Sequence, residues 1–283
     1  MPRPVPLPPT PPVALTIAGS DNSAGAGIQA DLKTFSALGV YGLTAVTCVV
    51  AEVPGRVLGV QPVDGAIIRD QIRSSLETFP VRAVKTGMLF SRATIELVAD
   101  LYAALDEKTR PPLVVDPVMV ATSGDALLKP DAVAAYSERL FPLATLVTPN
   151  LDEARTLLGG RNIRDEAAMR AGGHELAARY GSAFLMKGGH LGGDTALDVL
   201  CLPDGTTHDF SSPRVRGVST HGTGCTYSAA VAAGLARVPD SPAPVVHLAA
   251  AVAQAKAYID AAIGQSFRWG EVTALRHSVE PFP

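Results

Sequence analysis

Cysteine and aromatic residues are scarce in this chain. The three cysteines, Cys48, Cys201 and Cys225, lie far apart. Such an odd, scattered set has neither metal-ligand spacing nor the look of a disulfide framework, and it fits a reducing compartment. Aromatics make up 5% of the residues, which argues against a stacking platform for single-stranded nucleic acid. A formal net charge of -3 offers no polyanion-binding surface. Every apolar run falls short of the ~18–20 residues of a membrane span, and no apolar segment follows a charged start. Neither a membrane helix nor a signal peptide is expected. The cytoplasm is the expected location, with a mature exported protein as the alternative.

Proline is abundant, and it is concentrated at one end. Seven of the first twelve residues are proline, so residues 1–12 read as a disordered or polyproline-II tail. Residues 13–283 read as a single domain, since no later linker or internal repeat interrupts them. Hydrophobic residues are 47% of the chain, enough for a sizeable core.

Short apolar runs alternate with amphipathic stretches over most of this length. Val13–Ala18, Leu43–Val50, Ala83–Lys85, Pro112–Val115, Ala144–Thr148 and Ala183–Met186 read as strands. Helices are expected up to Leu38 and over 64–78, 91–106, 151–158, 165–180 and 244–263, with a hairpin about Asp204-Gly205. Strands apolar on both faces belong to a parallel sheet covered by helices. The expected fold is therefore α/β, in three layers, with a mostly parallel central sheet.

Polar and glycine-rich signals collect at the carboxyl ends of these strands. Gly19-Ser20-Asp21, Ala51-Glu52, Lys85-Thr86-Gly87, Asp116-Pro117, Thr148-Pro149-Asn150 and Lys187-Gly188-Gly189-His190 all follow apolar runs. Ligands of open α/β sheets bind along that edge, so a shared site is expected there. The stretch Ser219–Thr226 runs into a helix, and the free N–H groups of such a helix start suit a phosphate. Gly222 and Gly224 let backbone approach the ligand. Cys225 stands at the same start, where the helix dipole favours a thiolate, so it is a candidate base or nucleophile.

Other residues admit two readings. Asn150 and Glu153, at i and i+3, form either a capping box or a pair that holds hydrated Mg²⁺. Asp116 supports the same ion or caps a loop. Lys187 is a point charge for a phosphate or a solvated surface lysine. His221 closes the anion loop or is structural. Gly25-Ala-Gly27-Ile-Gln-Ala30 matches G-x-G-x-x-A, but six residues separate Gly25 from the strand, whereas a dinucleotide fingerprint places its first glycine in the turn itself.

Seven ordered motifs carry a resemblance. They are 15–21 (Leu-Thr-Ile-Ala-Gly-Ser-Asp), 25–42 (from Gly-Ala-Gly-Ile-Gln-Ala-Asp to Tyr-Gly), 85–89 (Lys-Thr-Gly-Met-Leu), 114–125, 148–154 (Thr-Pro-Asn-Leu-Asp-Glu-Ala), 186–191 and 220–226 (Thr-His-Gly-Thr-Gly-Cys-Thr). From Leu15 to Ile263 the chain resembles the bacterial hydroxymethylpyrimidine/phosphomethylpyrimidine kinases of thiamine biosynthesis, within the ribokinase-like superfamily. The resemblance implies ATP- and Mg²⁺-dependent phosphorylation of 4-amino-5-hydroxymethyl-2-methylpyrimidine, and then of its monophosphate to the diphosphate. It implies a homodimer and no nucleic-acid or membrane partner.

By that resemblance Gly222, Gly224, Lys187 and the base Cys225 form the catalytic group. Gly19, Ala26, Asp31, Glu52, Met88 and Val118 line the pyrimidine pocket. Asn150, Lys187, Thr220, Gly222, Thr223 and Gly224 bind the nucleotide, and Asp116 and Glu153 the metal. The chain departs from the family where Ala51-Glu52-Val53-Pro54 replaces the usual Ala-Gln-Asn-Thr, whose Gln contacts the aminopyrimidine. It also departs at Gly217-Val218-Ser219 and in the C-terminal segment from Gly264. The rival readings are a pyridoxal or pyridoxine kinase and a non-catalytic pyrimidine-binding protein.

Overall fold

The computed structural model describes residues 10–53, 55–119, 130–189, 191–218, 221–238 and 244–279. Most of the proline-rich segment 1–12 lies outside them, as do Pro54, His190, Ser219 and Thr220 and part of the 114–125 motif.

Nine strands build one sheet: β1 (Val13–Asp21), β2 (Tyr41–Val53), β3 (Arg56–Pro62), β4 (Val81–Thr86), β5 (Leu113–Val115), β6 (Leu146–Val147), β7 (Ala183–Lys187), β8 (Thr195–Cys201) and β9 (Thr207–Pro213). Their spatial order is β3-β2-β1-β4-β5-β6-β7-β8-β9. The strands from β2 across to β7 pair in parallel. The outer strands, β3 on one edge and β8 and β9 on the other, join antiparallel. The helices are α1 (Gly27–Ala37), α2 (Gly65–Thr78), α3 (Arg92–Ala103), α4 (Pro130–Ala135), α5 (Leu151–Leu157), α6 (Glu166–Tyr180), α7 (Thr223–Arg237) and α8 (Pro244–Gly264). A π-helical turn, Tyr136–Leu140, continues α4, and a small ribbon of β10 (Phe267–Trp269) and β11 (Val272–Ala274) follows α8.

The strand period of two splits the core into two layers. Leu15, Ile17, Leu113 and Val115 point to the side of α2 through α6, where they meet Ile68, Ile95, Leu157 and Leu176. Ala14, Val114, Leu146 and Leu185 point to the other side, against Phe35 of α1 and the small residues of α7 and α8. Helix α7 is buried on nearly its whole surface because it lies between the sheet and α8. Its alanines and Gly234 permit that approach: a Cβ on Gly234 would stand 3.0 Å from Ala251 Cβ.

Chain order then creates the site. From β1 the chain steps outward to β2 and β3, and returns through α2 to β4 on the opposite side of β1. Loops leaving β1 and β4 diverge at such a switch point and open a crevice at the strand ends. The three-layer arrangement agrees with the sequence reading. Strand β3, the ribbon β10–β11 and helix α4 were not expected from it. Strand β3 lies on an exposed edge, and Gly59 and Pro62 interrupt its alternation.

Candidate active site

Helix α7 begins at Gly222, which adopts φ +77°. That left-handed conformation favours glycine. Space requires glycine as well, since a Cβ here would lie 1.7 Å from the carbonyl oxygen of Gly25. The β1–α1 loop and the anion turn are thus pressed together. Gly224 is close to the charged groups of the site: a Cβ on it would be 3.2 Å from Lys187 Nζ and 3.6 Å from Asp116 Oδ2.

Strand ends supply the charged groups. Lys187 Nζ donates to Asp116 Oδ1 at 3.1 Å. Thr148 Oγ1 and Ser228 Oγ, each 3.3 Å away, donate to the two oxygens of Asp116. Asn150 and Glu153 form the full capping box of α5. Asn150 Oδ1 accepts from the Glu153 N–H at 2.9 Å, and Glu153 Oε2 accepts from the Asn150 N–H at 2.8 Å. Capping does not remove the pair from the site, because both residues line the cleft. Burial raises the Glu153 carboxyl to about 7, with the Asp116 charge adding to it and Lys187 opposing.

These groups share a cleft of about 520 Å³. Gly19, Ala26, Glu52, Met88 and Val118 line it, together with Asp116, Asn150, Glu153, Lys187, Gly222, Thr223, Gly224 and Cys225. Thr220 lies outside the described residues. Asp31 is not among the residues that line the cleft. It is fully buried on the inner face of α1, where Lys85 Nζ donates to it at 2.9 and 3.0 Å and Thr16 Oγ1 at 2.6 Å. Burial alone would lower the Lys85 pKa, but the Asp31 carboxylate outweighs it and keeps the ammonium charged. Asp31 therefore fixes the Lys85 ammonium.

Cys225 differs from expectation. Burial pushes its thiol up to about 11; Asp116 and Asp31 add to the rise, and the Lys85 ammonium opposes it. Burial thus opposes the dipole of the helix start and favours the thiol form.

Sequence reasoning left several residues of the cleft unassigned. Asp198 on β8 and Lys256 on α8 both line it, and Lys256 Nζ stands 3.0 Å from Asp198 Oδ2. Asp198 also accepts from the Gly188 N–H at 3.0 Å, next to Lys187. A charged residue inside an otherwise apolar run, such as Ala-Leu-Asp198-Val-Leu, was the available signal. Asp21 and His221 were noticed only as loop residues, yet His221 Nε2 lies 3.3 Å from Asp21 Oδ2.

A parallel sheet with its crevice at the switch point, a glycine anion turn and an Asp–Lys pair facing it define a small-molecule kinase of ribokinase-like fold. A family model described as phosphomethylpyrimidine kinase matches residues 21–276. The chain belongs to the phosphomethylpyrimidine kinase family. It is 47% identical over 256 residues to a hydroxymethylpyrimidine/phosphomethylpyrimidine kinase of Rhizobium meliloti (strain 1021), covering 90% of this chain and 92% of that one. Among solved structures it is similar to an ADP complex of Bacillus subtilis pyridoxal kinase, with TM-score 0.84 and 38% identity over 95% of this chain and 98% of that one. The phosphomethylpyrimidine kinase from Clostridium difficile 630 matches with TM-score 0.73 and 38% identity, over 88% of this chain and 97% of that one.

Proposed function

We propose that the protein transfers the terminal phosphoryl group of ATP to the hydroxymethyl oxygen of 4-amino-5-hydroxymethyl-2-methylpyrimidine, and then a second one to the resulting monophosphate. The observation that carries this is the meeting, in one cleft, of the Gly222–Gly224 anion turn and Lys187 with a pocket edged by Gly19, Ala26, Met88 and Val118. The turn and Lys187 neutralise charge on the phosphoryl in flight, which is the main demand of this chemistry. Cys225 lies at that turn and takes the substrate hydroxyl as a hydrogen-bond partner. Held as a thiol, it orients the hydroxyl; as the new O–P bond forms the bond to ADP breaks, and the hydroxyl proton passes to an oxygen of the transferred phosphoryl group.

The carboxylates fit a hydrated Mg²⁺ rather than a stripped one. Asp116 Oδ1 and Oδ2 and both oxygens of Glu153 already accept hydrogen bonds from protein donors. When bound, such an ion would offset the charge of the nucleotide phosphates. Asp116 and Glu153 are the residues that would hold it.

ADP release with Mg·ATP and the pyrimidine tests the proposal, with pyridoxal assayed in parallel. Turnover of the pyrimidine in preference to pyridoxal is expected. A folded protein with no turnover above background would defeat it, and preference for pyridoxal would replace the substrate. A homodimer, checked by sedimentation, and a cytoplasmic location belong to the same proposal. Among the described residues no helix is long and apolar enough to cross a membrane.

A further inference from the structure

Lys187 ends β7, and a glycine-rich loop carries the chain from it to Thr195 of β8. Antiparallel register brings Arg214 to this loop from the end of β9, because Thr195 pairs with Pro213. The Arg214 backbone N–H donates to the Asp194 carbonyl at 2.8 Å. Its Nε donates to the carbonyl of Gly193 at 3.0 Å, and its Nη2 to those of Gly192 at 3.0 Å and Thr195 at 3.3 Å. Nη1 donates to the Gly189 carbonyl. A guanidinium suits this task, since its planar fork reaches several acceptors at once.

All of these acceptors are backbone carbonyls. Neighbouring Arg216 instead meets a carboxylate, with Nη2 2.8 Å from Asp194 Oδ1. Arg214 lines the cleft together with Lys187 and Gly189. From the other side, Asp198 Oδ1 accepts the Gly188 N–H at 3.0 Å, so the loop is tied down on both flanks directly after Lys187. Strand order sets what the loop faces. Strands β7, β8 and β9 form one end of the sheet, and β1 lies beyond β6, β5 and β4. The anion turn bridges the two regions, with Gly222 against the carbonyl of Gly25 and Gly224 near Lys187 Nζ. A phosphoryl acceptor held by Gly19 and Ala26 at the β1 end leaves the β7–β8 side for the phosphoryl donor.

We propose that Arg214 is a positioning residue for the nucleotide: by gathering the carbonyls of Gly189, Gly192, Gly193 and Thr195 it fixes the β7–β8 loop, and through the loop it fixes where Lys187 meets the phosphates. The loop is rich in glycine and has little conformational preference of its own, so ordering it without the clamp would draw on binding energy. A lysine in this place keeps the charge, but a single ammonium does not span the same set of carbonyls. The role rests on the kinase reading above and is independent of which ring accepts the phosphate.

Calorimetric titration with ADP and with the pyrimidine, beside steady-state kinetics, tests this on wild type, Arg214→Ala and Arg214→Lys. Both variants are expected to weaken ADP binding and raise KM for ATP about tenfold or more, with pyrimidine affinity within about twofold of wild type. Guanidinium ion at millimolar concentration is expected to lower the ATP KM of Arg214→Ala. An Arg214→Lys protein that binds ADP like wild type overturns the proposal, because charge alone then suffices. Equal losses for ADP and the pyrimidine also overturn it, as the mark of a general structural role. Should Arg214→Ala not fold, Arg214→Lys decides between these outcomes. A wild type that turns over normally beside unaffected variants defeats this inference alone, whereas a folded wild type that binds no ADP defeats the kinase reading with it.

Discussion

Gly222 is constrained both by its backbone conformation and by its neighbour. Adding one methyl group strains φ +77° and drives a carbon into the Gly25 carbonyl. Gly222→Ala is therefore expected to shift the turn and lower kcat/KM about 100-fold or more, the order lost with one oxyanion donor. Steady-state kinetics beside an unchanged circular dichroism spectrum would show it; near-normal kcat/KM would mean that the turn tolerates displacement. Cys225 carries a second prediction. Cys48 and Cys201 are buried, so Cys225 is the thiol that reagents reach. Its alkylation by iodoacetamide is expected to keep accelerating with pH toward about 11. A plateau just above the ordinary thiol value of about 8.5 would show that burial does not dominate. The candidate base was legible from its place in the loop. Its protonation state was not, because burial by other elements raises the thiol, while the charges of Lys85 and Asp116 act on it through space.

At the scale of elements, α8 does more than cover the sheet. Lys256 ties it to Asp198, which stands opposite Lys187 across the β7–β8 pairing and holds the Gly188 N–H. Both partners of the pair are buried. Lys256→Met leaves the Asp198 charge unpaired and is expected to cost about 3–5 kcal/mol, with the double variant Asp198→Asn/Lys256→Met recovering part of it. Urea midpoints of the three proteins check this, and equal losses in the single and double variants would contradict it. Helix α8 itself was read from its length and apolar content. Its tie to β8 was not, because nothing local marks two residues 58 positions apart, 256 − 198, as partners. For the same reason the pairing of Asp31 with Lys85, 54 residues away, was not legible.

Over the whole molecule, the C-terminal segment closes back on the start of α7. His277 Nε2 lies 3.1 Å from Thr226 Oγ1, and Tyr258 Oη donates to the His277 carbonyl at 2.7 Å. Burial, aided by the Lys33 charge, lowers the imidazole to about 4. Between that value and the ordinary ~6.5, the unfolded chain takes up a proton that the folded one refuses. This contribution is therefore present above about pH 6.5 and lost as pH falls toward 4. Glu153, raised to about 7, acts in the opposite sense and favours the fold at the acid end of nearly the same window. The wild type alone would thus conceal the effect. Against His277→Gln, the stability of the wild type is expected to decline by on the order of 2–3 kcal/mol between pH 7 and pH 4, measured by denaturant unfolding. A difference that does not vary with pH would show that His277 is protonated in the fold.

Local chemistry determined much of this protein before any fold was known. Apolar runs specified the parallel strands, Ser91 and Asn150 capped their helices as read, and the glycines before Cys225 marked an anion turn. Those signals act over a few residues, where backbone preference and periodicity suffice. Only the tertiary structure decided that Asp31 meets Lys85, that burial raises the Cys225 thiol, and that His221 meets Asp21. Charge states depend on burial and on through-space neighbours, and β-strand order brings those together from distant parts of the chain.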